Sequence, residues 1–289
     1  MYAMGTATTA NHDRALDIAV DSNDDAIICG YTYGEFDGSV EQYTGDVIHP
    51  WGTFDQKNPN GIKNMIVAKF DGTHASVLWI KQITEYSEAY SVAIDSDDNI
   101  FVSGLISPDG NSNKPAIIKF DTTNGTELTR TYISPFVVPQ SIAIDTNDNV
   151  IVACWESSYV EWTPTTTYDD YQGRGDAYIV KFNNSLVELW REHFGTSSSD
   201  EPKDIATDSF DNFYITDMKG YYNGCITKFN SSGQQKWYKT ILERSSQKMG
   251  RGQCVTVESY KEEEKRGKKK RDIVGSKKRE RKNTNNGGE

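Results

Sequence analysis

The sequence predicts an all-β protein assembled from about four copies of one unit of four short antiparallel strands. Two repeated blocks carry this prediction. A fixed internal period dictates architecture, because each copy is one supersecondary unit that buries its apolar surface against its neighbours. The first block reads IAVDSNDDAIICG and begins at Ile18, Val92, Ile142 and Ile205; the second reads VAKFD, IIKFD, IVKFN and ITKFN, around Phe70, Phe120, Phe182 and Phe229.

The separations between the blocks show where the copies differ. From each phenylalanine of the second block to the aspartate of the next first block takes 25, 25 and 26 residues. From that aspartate to its own phenylalanine takes 49, 25, 37 and 21 residues. The length variation therefore lies in one connection, between the second and third strands of each unit.

The first strand of each unit alternates a large residue with alanine, as in Ile18-Ala19-Val20. Because both faces are apolar, this strand should be covered on both sides in a crowded position. The Asp/Asn-rich turn that follows bonds readily to nearby amides and tolerates left-handed conformations, which predicts a tight hairpin. A four-stranded unit that is crowded at its first strand predicts the blade of a β-propeller. A tryptophan marks the fourth strand, at Trp79, Trp190 and Trp237, with Leu128 or Thr129 in its place in the second copy.

The units resemble the SBBP-type β-propeller repeat, which reads roughly IAVDSxGNxYVTG, a variable loop and DAFVxKFDxxGxxxW. The third and fourth copies carry the resemblance best, in GDAYIVKF at 175–182 and in the stretch 195–208. It covers residues 5–241 and implies about seven blades without a shared active site. Gly30 and Gly104 match the family glycine, whereas Cys154 and Asp217 replace it.

For domain organisation we expect propeller repeats over residues 1–259 and a basic disordered tail over 260–289. A propeller ring usually contains four to eight blades, so closure is left open. The chain is a fragment of a larger propeller, or its four blades and partial blades close a ring, or two chains combine. Open blade edges would invite self-association. The expected blades span about 14–83, 89–133, 139–194 and 203–241, with a partial blade at 253–259.

The net charge of −11 combines an acidic body with a basic tail. An acidic body argues against nucleic-acid binding by the folded part and favours cationic ligands or calcium. The tail is a solvated segment, a nuclear-import signal or loose nucleic-acid contact, or translated non-coding sequence.

No run of about 18 apolar residues and no signal peptide are present, which predicts a soluble protein without a membrane contact. The compartment is not determined; it would be extracellular or the cell surface if a missing N-terminus carried a signal. Cys29, Cys154 and Cys225 fall in predicted strands and should be buried thiols. No zinc or cofactor motif is present, so no cofactor is expected.

The long insertions, 31–64 and 155–174, should open on one rim, because antiparallel strands send every second connection to the same side. They are rich in aromatic residues, which suit recognition because they bury a large area and still offer a hydrogen bond. We therefore expect a non-catalytic binding scaffold for a protein or carbohydrate, although these residues could instead plug the gaps between blades. The candidate ligand-binding residues are Tyr31, Tyr33, Trp51, Phe54, Trp155, Trp162, Tyr168 and Tyr171.

Two other functions are weaker alternatives. A carbohydrate-active hydrolase or lyase would need a pocket near His49 and Asp46, and the chain shows no recognised catalytic motif. A purely structural role within a larger cell-surface propeller protein is the second alternative. For metals, Asp95, Asp97 and Asn99 form a weak calcium candidate that lacks the glycine and glutamate of a calcium loop.

Overall fold

The computed structural model describes residues 14–33, 63–110, 112–133, 137–156, 177–195, 200–219 and 223–242. These residues form sixteen strands in four sheets, and each sheet is an antiparallel meander of four strands in chain order. No helix long and apolar enough to cross a membrane occurs in these ranges. The all-β prediction with four-stranded blades is confirmed.

The four sheets are named blades 1 to 4. Blade 1 contains β1 (Arg14–Val20), β2 (Ala26–Thr32), β3 (Asn64–Phe70) and β4 (Val77–Gln82). Blade 2 contains β5 (Tyr86–Ile94), β6 (Ile100–Ser107), β7 (Lys114–Phe120) and β8 (Glu127–Tyr132). Blade 3 contains β9 (Val137–Ile144), β10 (Val150–Glu156), β11 (Ala177–Phe182) and β12 (Glu188–Phe194). Blade 4 contains β13 (Asp200–Thr207), β14 (Phe213–Lys219), β15 (Asn223–Phe229) and β16 (Gln235–Leu242).

The first strands of neighbouring blades pack against one another in the order β1, β5, β9 and β13. Each blade therefore has its first strand at the inner edge and its fourth strand at the outer edge, which is the arrangement of a β-propeller. Three apolar cores fill the three junctions between consecutive blades. The chain is a β-propeller repeat protein.

The two apolar faces of the first strand have different neighbours. The large residue, such as Val92 or Ile142, is buried against the preceding blade, and the alanine, such as Ala19 or Ala93, packs towards the following blade. The prediction of cover on both sides is thus confirmed in blades 2 and 3; in blade 4, Ile205 is buried against blade 3, while Ala206 is half-buried and no described blade follows. It is wrong for blade 1, where Ile18 is exposed, because no described blade precedes it.

A β-bulge interrupts the first strand of every blade. The skipped residues are Leu16, Tyr90, Gln140 and Lys203. A bulge interrupts the alternation of side chains along the strand. The alternating pattern of the first block is therefore recognisable only in the part of the strand that follows the bulge. The strands β5, β9 and β13 accordingly begin a few residues before the predicted blade starts at 89, 139 and 203.

The glycine at the end of the first repeated block lies opposite this bulge. A Cβ at Gly104 would lie 2.0 Å from the carbonyl oxygen of Glu88, so no larger residue fits without a shift. Gly30 meets the same obstacle at Arg14. Both glycines pair with an alanine of the first strand. In blades 3 and 4 that alanine is replaced by a proline, and the glycine is replaced too: Cys154 pairs with Pro139, and Asp217 pairs with Pro202.

The turn after each first strand is a tight hairpin, as predicted. Its first aspartate accepts amides of its own turn, as Asp95 does from Asp97 and Asn99. Its fourth residue is an aspartate in the left-handed region, which Asp and Asn tolerate better than most residues. These are Asp24, Asp98, Asp148 and Asp211, with φ of 63°, 62°, 59° and 60°.

A buried ion pair fastens the third strand to this turn. Lys69 lies 2.6 Å from Asp21, and Lys181 lies 2.6 Å from Asp145. Each lysine also reaches the next blade, as Lys69 does by donating to the Thr122 hydroxyl at 3.1 Å. The recurring Lys-Phe pattern of the second block therefore serves both the blade and its junction.

The fourth-strand tryptophan also joins two blades. Trp79 pairs with Lys69 within blade 1 and donates its indole N–H to the carbonyl oxygen of Thr122 in blade 2 at 2.9 Å. Thr129 pairs with Lys119 in the same register, so it, rather than Leu128, occupies the tryptophan position of blade 2. The predicted buried thiols Cys29, Cys154 and Cys225 are buried, and none of them forms a disulfide with another described residue.

Candidate binding site

The rim at which the second strand of each blade ends and the third begins is called the insertion rim. The first long insertion leaves β2 after Thr32 and returns at β3, and the second leaves β10 after Glu156 and returns at β11. The structure places Tyr31, Tyr33 and Trp155 at this rim. The other candidate residues, Trp51, Phe54, Trp162, Tyr168 and Tyr171, lie outside the described residues, as do His49 and Asp46.

Polar and aromatic side chains meet on the insertion rim where blades 1 and 2 join. β2 and the residue directly after it supply two tyrosines, the residue before β3 supplies a lysine, and the start of β5 supplies two tyrosines and a glutamate. These six residues are called the tyrosine cluster: Tyr31, Tyr33, Lys63, Tyr86, Glu88 and Tyr90.

An ion pair between the two blades lies at the centre of this cluster. Lys63 Nζ is 2.7 Å from Glu88 Oε1 and 4.6 Å from the ring centroid of Tyr31. Both side chains of the pair are largely buried. A cation held over an aromatic face while paired with a carboxylate is stabilised by both contacts, so Lys63 has a fixed position.

The four phenols surround this ion pair. The rings of Tyr31 and Tyr33 meet edge to face with their centroids 5.9 Å apart. The hydroxyl groups of Tyr86 and Tyr90 donate to the two oxygens of Glu88 at 3.4 Å and 3.5 Å. Tyr31 is buried, whereas Tyr33, Tyr86 and Tyr90 are half-buried, so three rings keep part of their surface in solvent.

The environment keeps these groups in their neutral-pH charge states. Burial, together with the negative charge of Glu88, raises the pKa of Tyr90 far above its ordinary value, and the same causes raise the pKa of Tyr86. Burial alone would lower the pKa of Lys63, but its hydrogen bond to Glu88 outweighs this and the pKa is raised. The cluster therefore offers protonated phenols and a charged lysine, which are groups that donate hydrogen bonds.

The predicted candidates divide by burial. Tyr31 packs into the junction, as the alternative of structural plugging expects, while Tyr33 and Trp155 keep part of their surface in solvent. Sequence reasoning missed Lys63, Tyr86, Glu88 and Tyr90. A signal was present in YSEAY at 86–90, where the tyrosines and the glutamate occupy alternate positions of one strand.

The calcium candidate lies at the opposite rim, in the turn between β5 and β6. The Asp95 carboxylate accepts from the amides of Asp97 and Asn99 and from the side chains of Asn99 and Asn184. It also lies 3.5 Å from Lys119. The oxygens of Asp95 are therefore occupied by hydrogen bonds within the hairpin and by a hydrogen bond from Asn184 of blade 3. Within the described ranges, no group of three or more acidic, histidine or cysteine residues could hold a metal ion.

No family model matches this chain. An uncharacterised WD repeat-containing protein of Acanthamoeba polyphaga mimivirus is 22% identical over an alignment of 231 residues that covers 77% of this chain. The chain spans only 13% of the length of that relative. The resemblance is to another repeat protein and agrees with the observed blades.

Solved structures with related folds are distant. A gluconolactonase from Xanthomonas campestris has a TM-score of 0.40 and 11% identity, over 75% of this chain and 59% of its own. The acylaminoacyl peptidase of Pyrococcus horikoshii has a TM-score of 0.43 and 9% identity, over 81% of this chain and 33% of the peptidase chain. An ulvan lyase has a TM-score of 0.44 and 11% identity, over 80% of this chain and 58% of the lyase chain. Likeness at this level says nothing about the chemistry of this chain.

Proposed function

We propose that this chain is a propeller module of the SBBP type that binds a protein or carbohydrate on its insertion rim without catalysis. The observation that carries the proposal is the tyrosine cluster. It combines half-buried phenols with a fixed lysine at the point where the first long insertion leaves blade 1. This platform adjoins the positions where the first long insertion leaves β2 and returns to β3.

The physical chemistry of the cluster suits recognition. Tyrosine and tryptophan supply a large contact area at a low cost in conformational entropy, and the phenol adds a hydrogen bond. The ring of Tyr33 is held edge to face by Tyr31. Tyr33 would therefore lose less conformational entropy when a ligand binds. The ion pair of Lys63 with Glu88 joins blades 1 and 2 beneath it and restricts movement of the base.

The proposed ligand contacts extend from the described residues into the insertions. Tyr33 and Trp155 mark the starts of the two insertions. Trp51, Phe54, Trp162, Tyr168 and Tyr171 complete the proposed aromatic surface. In the same proposal, residues 1–259 form the propeller and the basic segment 260–289 takes no part in ligand binding.

A screen of the full chain on a glycan array and on a peptide array tests this function, because it separates the two ligand classes. We expect the wild-type chain to capture members of one class. The double variant Trp51→Ala/Trp162→Ala should lose at least about tenfold in affinity for the captured ligand, as expected for aromatic anchors. Its circular dichroism spectrum should stay that of the wild type.

Phe210→Ala is the matched control. Phe210 is 80% exposed in the turn between β13 and β14, on the opposite rim from the insertions. Its removal should leave binding unchanged. Equal binding by the double variant and the wild type would contradict the proposal. Loss of the circular dichroism signal in the double variant would show instead that the two tryptophans are core residues.

A further inference from the structure

A chain of hydrogen bonds joins the first strands along the inner edge of the blades. At each junction, the side-chain oxygen of the residue directly after the bulge accepts from a backbone N–H of the next first strand. The donors and acceptors are Val92 with Asp17, Ile142 with Ser91, and Ile205 with Ser141, at 2.9 Å, 3.3 Å and 3.4 Å. Because the same two positions meet at all three junctions, the four bulges lie at one level.

The bulge residue and the residue two positions before it keep part of their surface in solvent in blades 2 to 4. The residue between them is buried in each case, as Ala89, Pro139 and Pro202. Both positions lie on the side of the insertion rim, because the first strand begins at that rim and ends at the opposite one. The six half-buried residues are called the inner row: Glu88, Tyr90, Val138, Gln140, Glu201 and Lys203.

The members of the inner row that belong to one blade contact each other. The hydroxyl of Tyr90 donates to Glu88 Oε2 at 3.5 Å, and Lys203 forms an ion pair with Glu201. Glu88 also accepts from Lys63 at 2.7 Å. These contacts place the two side chains of a blade on the same side of the strand and restrict their movement before a ligand binds.

Blade 3 contributes a different pair between these two. Val138 is apolar, and the side-chain amide of Gln140 has no hydrogen-bond partner among the described residues. An amide side chain donates two hydrogen bonds and accepts others. Gln140 can therefore form hydrogen bonds of both kinds with a ligand.

The blade fold does not prescribe the side chains of the inner row. The first repeated block that follows keeps a large residue, a small one and an aspartate in all four copies. The two positions of the inner row instead read Glu and Tyr, Val and Gln, and Glu and Lys in blades 2 to 4. Since three blades form the same bulge with different residues, the chemistry of these side chains is available for recognition.

The charges of the inner row favour a neutral ligand. The carboxylate of Glu88 is paired with Lys63, and that of Glu201 is paired with Lys203. A charged ligand would have to compete with one of these pairs, whereas a neutral polar ligand would not. The row also offers an aromatic ring at Tyr90 beside groups that donate and accept hydrogen bonds. A sugar matches both, because its hydroxyl groups donate and accept and its C–H faces are apolar.

A peptide that pairs through its backbone suits this edge less well. Peptide strands bind to a sheet edge through main-chain hydrogen bonds. At the inner edge, the N–H groups of Val92, Ile142 and Ile205 already donate to the preceding blade. The N–H of Ser87 likewise donates to the carbonyl oxygen of Lys63. Recognition at this edge therefore depends on side chains.

We propose that the inner row is where the ligand of the insertion rim is recognised, and that this ligand is a neutral carbohydrate. The inference rests on the proposed function and selects one of its two ligand classes. A sugar ring would pack on Tyr90 and Val138, and its hydroxyl groups would bond to Gln140 and to the polar atoms of the two ion pairs.

An array of defined oligosaccharides tests the ligand class. It carries neutral oligosaccharides of glucose, galactose, mannose and xylose, beside acidic ones that contain uronic acid or sulfate, and a peptide array is screened in parallel. We expect the full wild-type chain to capture neutral oligosaccharides. Capture of acidic oligosaccharides or peptides alone, or of nothing on either array, would overturn the inference.

Calorimetric titration with the captured oligosaccharide tests the residues. Gln140→Leu removes the amide at similar size and should weaken binding by about tenfold. Tyr90→Phe keeps the ring, removes the hydroxyl and should cost a few-fold in affinity. Both variants should keep the wild-type circular dichroism spectrum. Gln235→Leu is the matched control, because Gln235 is exposed at the start of the outer strand β16, and it should bind like the wild type.

The same titrations separate this inference from the proposed function. If Gln140→Leu binds as tightly as the wild type while Trp51→Ala/Trp162→Ala loses binding, the inner row is wrong and the aromatic surface of the insertions stands. If Gln140→Leu loses binding while the tryptophan variant keeps it, the inner row stands and the aromatic surface is wrong. Peptide capture that the tryptophan variant loses would support the proposed function and contradict a carbohydrate ligand.

Discussion

Ser22 and Asp98 are 76 residues apart in the sequence, yet the backbone N–H of Ser22 donates to Asp98 Oδ1 at 2.9 Å and its hydroxyl donates to Oδ2. The contact fastens the turn after β1 to the turn after β5. Ser96 donates to Asp148 in the same two ways, so the contact recurs at the next junction. The hairpin turns are therefore part of the packing between blades.

Asp98→Ala should lower the free energy of unfolding by about 1–2 kcal/mol, because two hydrogen bonds to a charged acceptor are lost at a partly exposed site. Urea denaturation followed by circular dichroism measures the change. Asp24→Ala is the control, since Asp24 has nearly the same φ but no donor from a neighbouring blade in the described residues. If both variants lost the same stability, the effect would come from the backbone conformation of the turn.

Gly104→Ala should destabilise the protein by about 3 kcal/mol, because its Cβ would overlap the carbonyl oxygen of Glu88 and force two strands apart. Thermal unfolding measures the effect. Gly110→Ala is the comparison. Gly110 has a φ of 70°, and a Cβ there would meet no described atom within 4 Å, so only a backbone cost of about 1 kcal/mol is expected. A smaller loss at Gly104 than at Gly110 would contradict the close approach of the strands.

The buried pair of Lys181 and Asp145 makes stability depend on pH. Burial alone would raise the pKa of Asp145, but hydrogen bonds from Lys181, Asn149 and the turn amides outweigh burial and hold the pKa below its ordinary value. A depressed pKa contributes stability above the unfolded-state value of about 4, and this stability is lost as the pH falls through the folded-state value. The wild-type chain should therefore lose stability in acid.

Lys181→Met should cost about 3–5 kcal/mol at pH 7, because it leaves a buried carboxylate without its cation. The cost should shrink as the pH approaches about 4, where protonation removes that charge. Denaturant titrations at several pH values measure it. Lys228→Met is the control, because Lys228 is more exposed and lies 3.8 Å from Asp208, so a loss below about 1 kcal/mol is expected. A pH-independent cost at Lys181 would exclude the charge as its origin.

Tyr31 and Tyr33 should respond differently to removal. Tyr31→Ala empties a buried site and should cost about 3 kcal/mol of stability. Tyr33→Ala removes a half-buried ring and should cost less than about 1 kcal/mol. Chemical denaturation separates the two, and equal losses would show that Tyr33 is packed as firmly as Tyr31. On the proposed function, Tyr33→Ala alone should also weaken ligand capture.

Much of the fold could be predicted from the repeats. The alternation at Val92-Ala93-Ile94 indicated a strand with two covered faces, and the Asp/Asn-rich turns indicated hairpins, because these signals are local. The bulge at Tyr90 was not predicted, since a single unpaired residue leaves no periodic trace. The junction of Lys63 with Glu88 was also missed, because the two residues belong to different blades and neither stands in a repeated block.

The sequence by itself determined the strands, the turns and the connection that varies, because hydrophobic periodicity and turn chemistry act over a few residues. Only the tertiary structure decided which side chains share a junction. It buried Ile142 and exposed Ile18 although both hold the same place in the repeat. The physical reason is that the burial of a side chain on a blade face depends on the blade beside it: Ile142 packs against blade 2, whereas no described blade lies against Ile18.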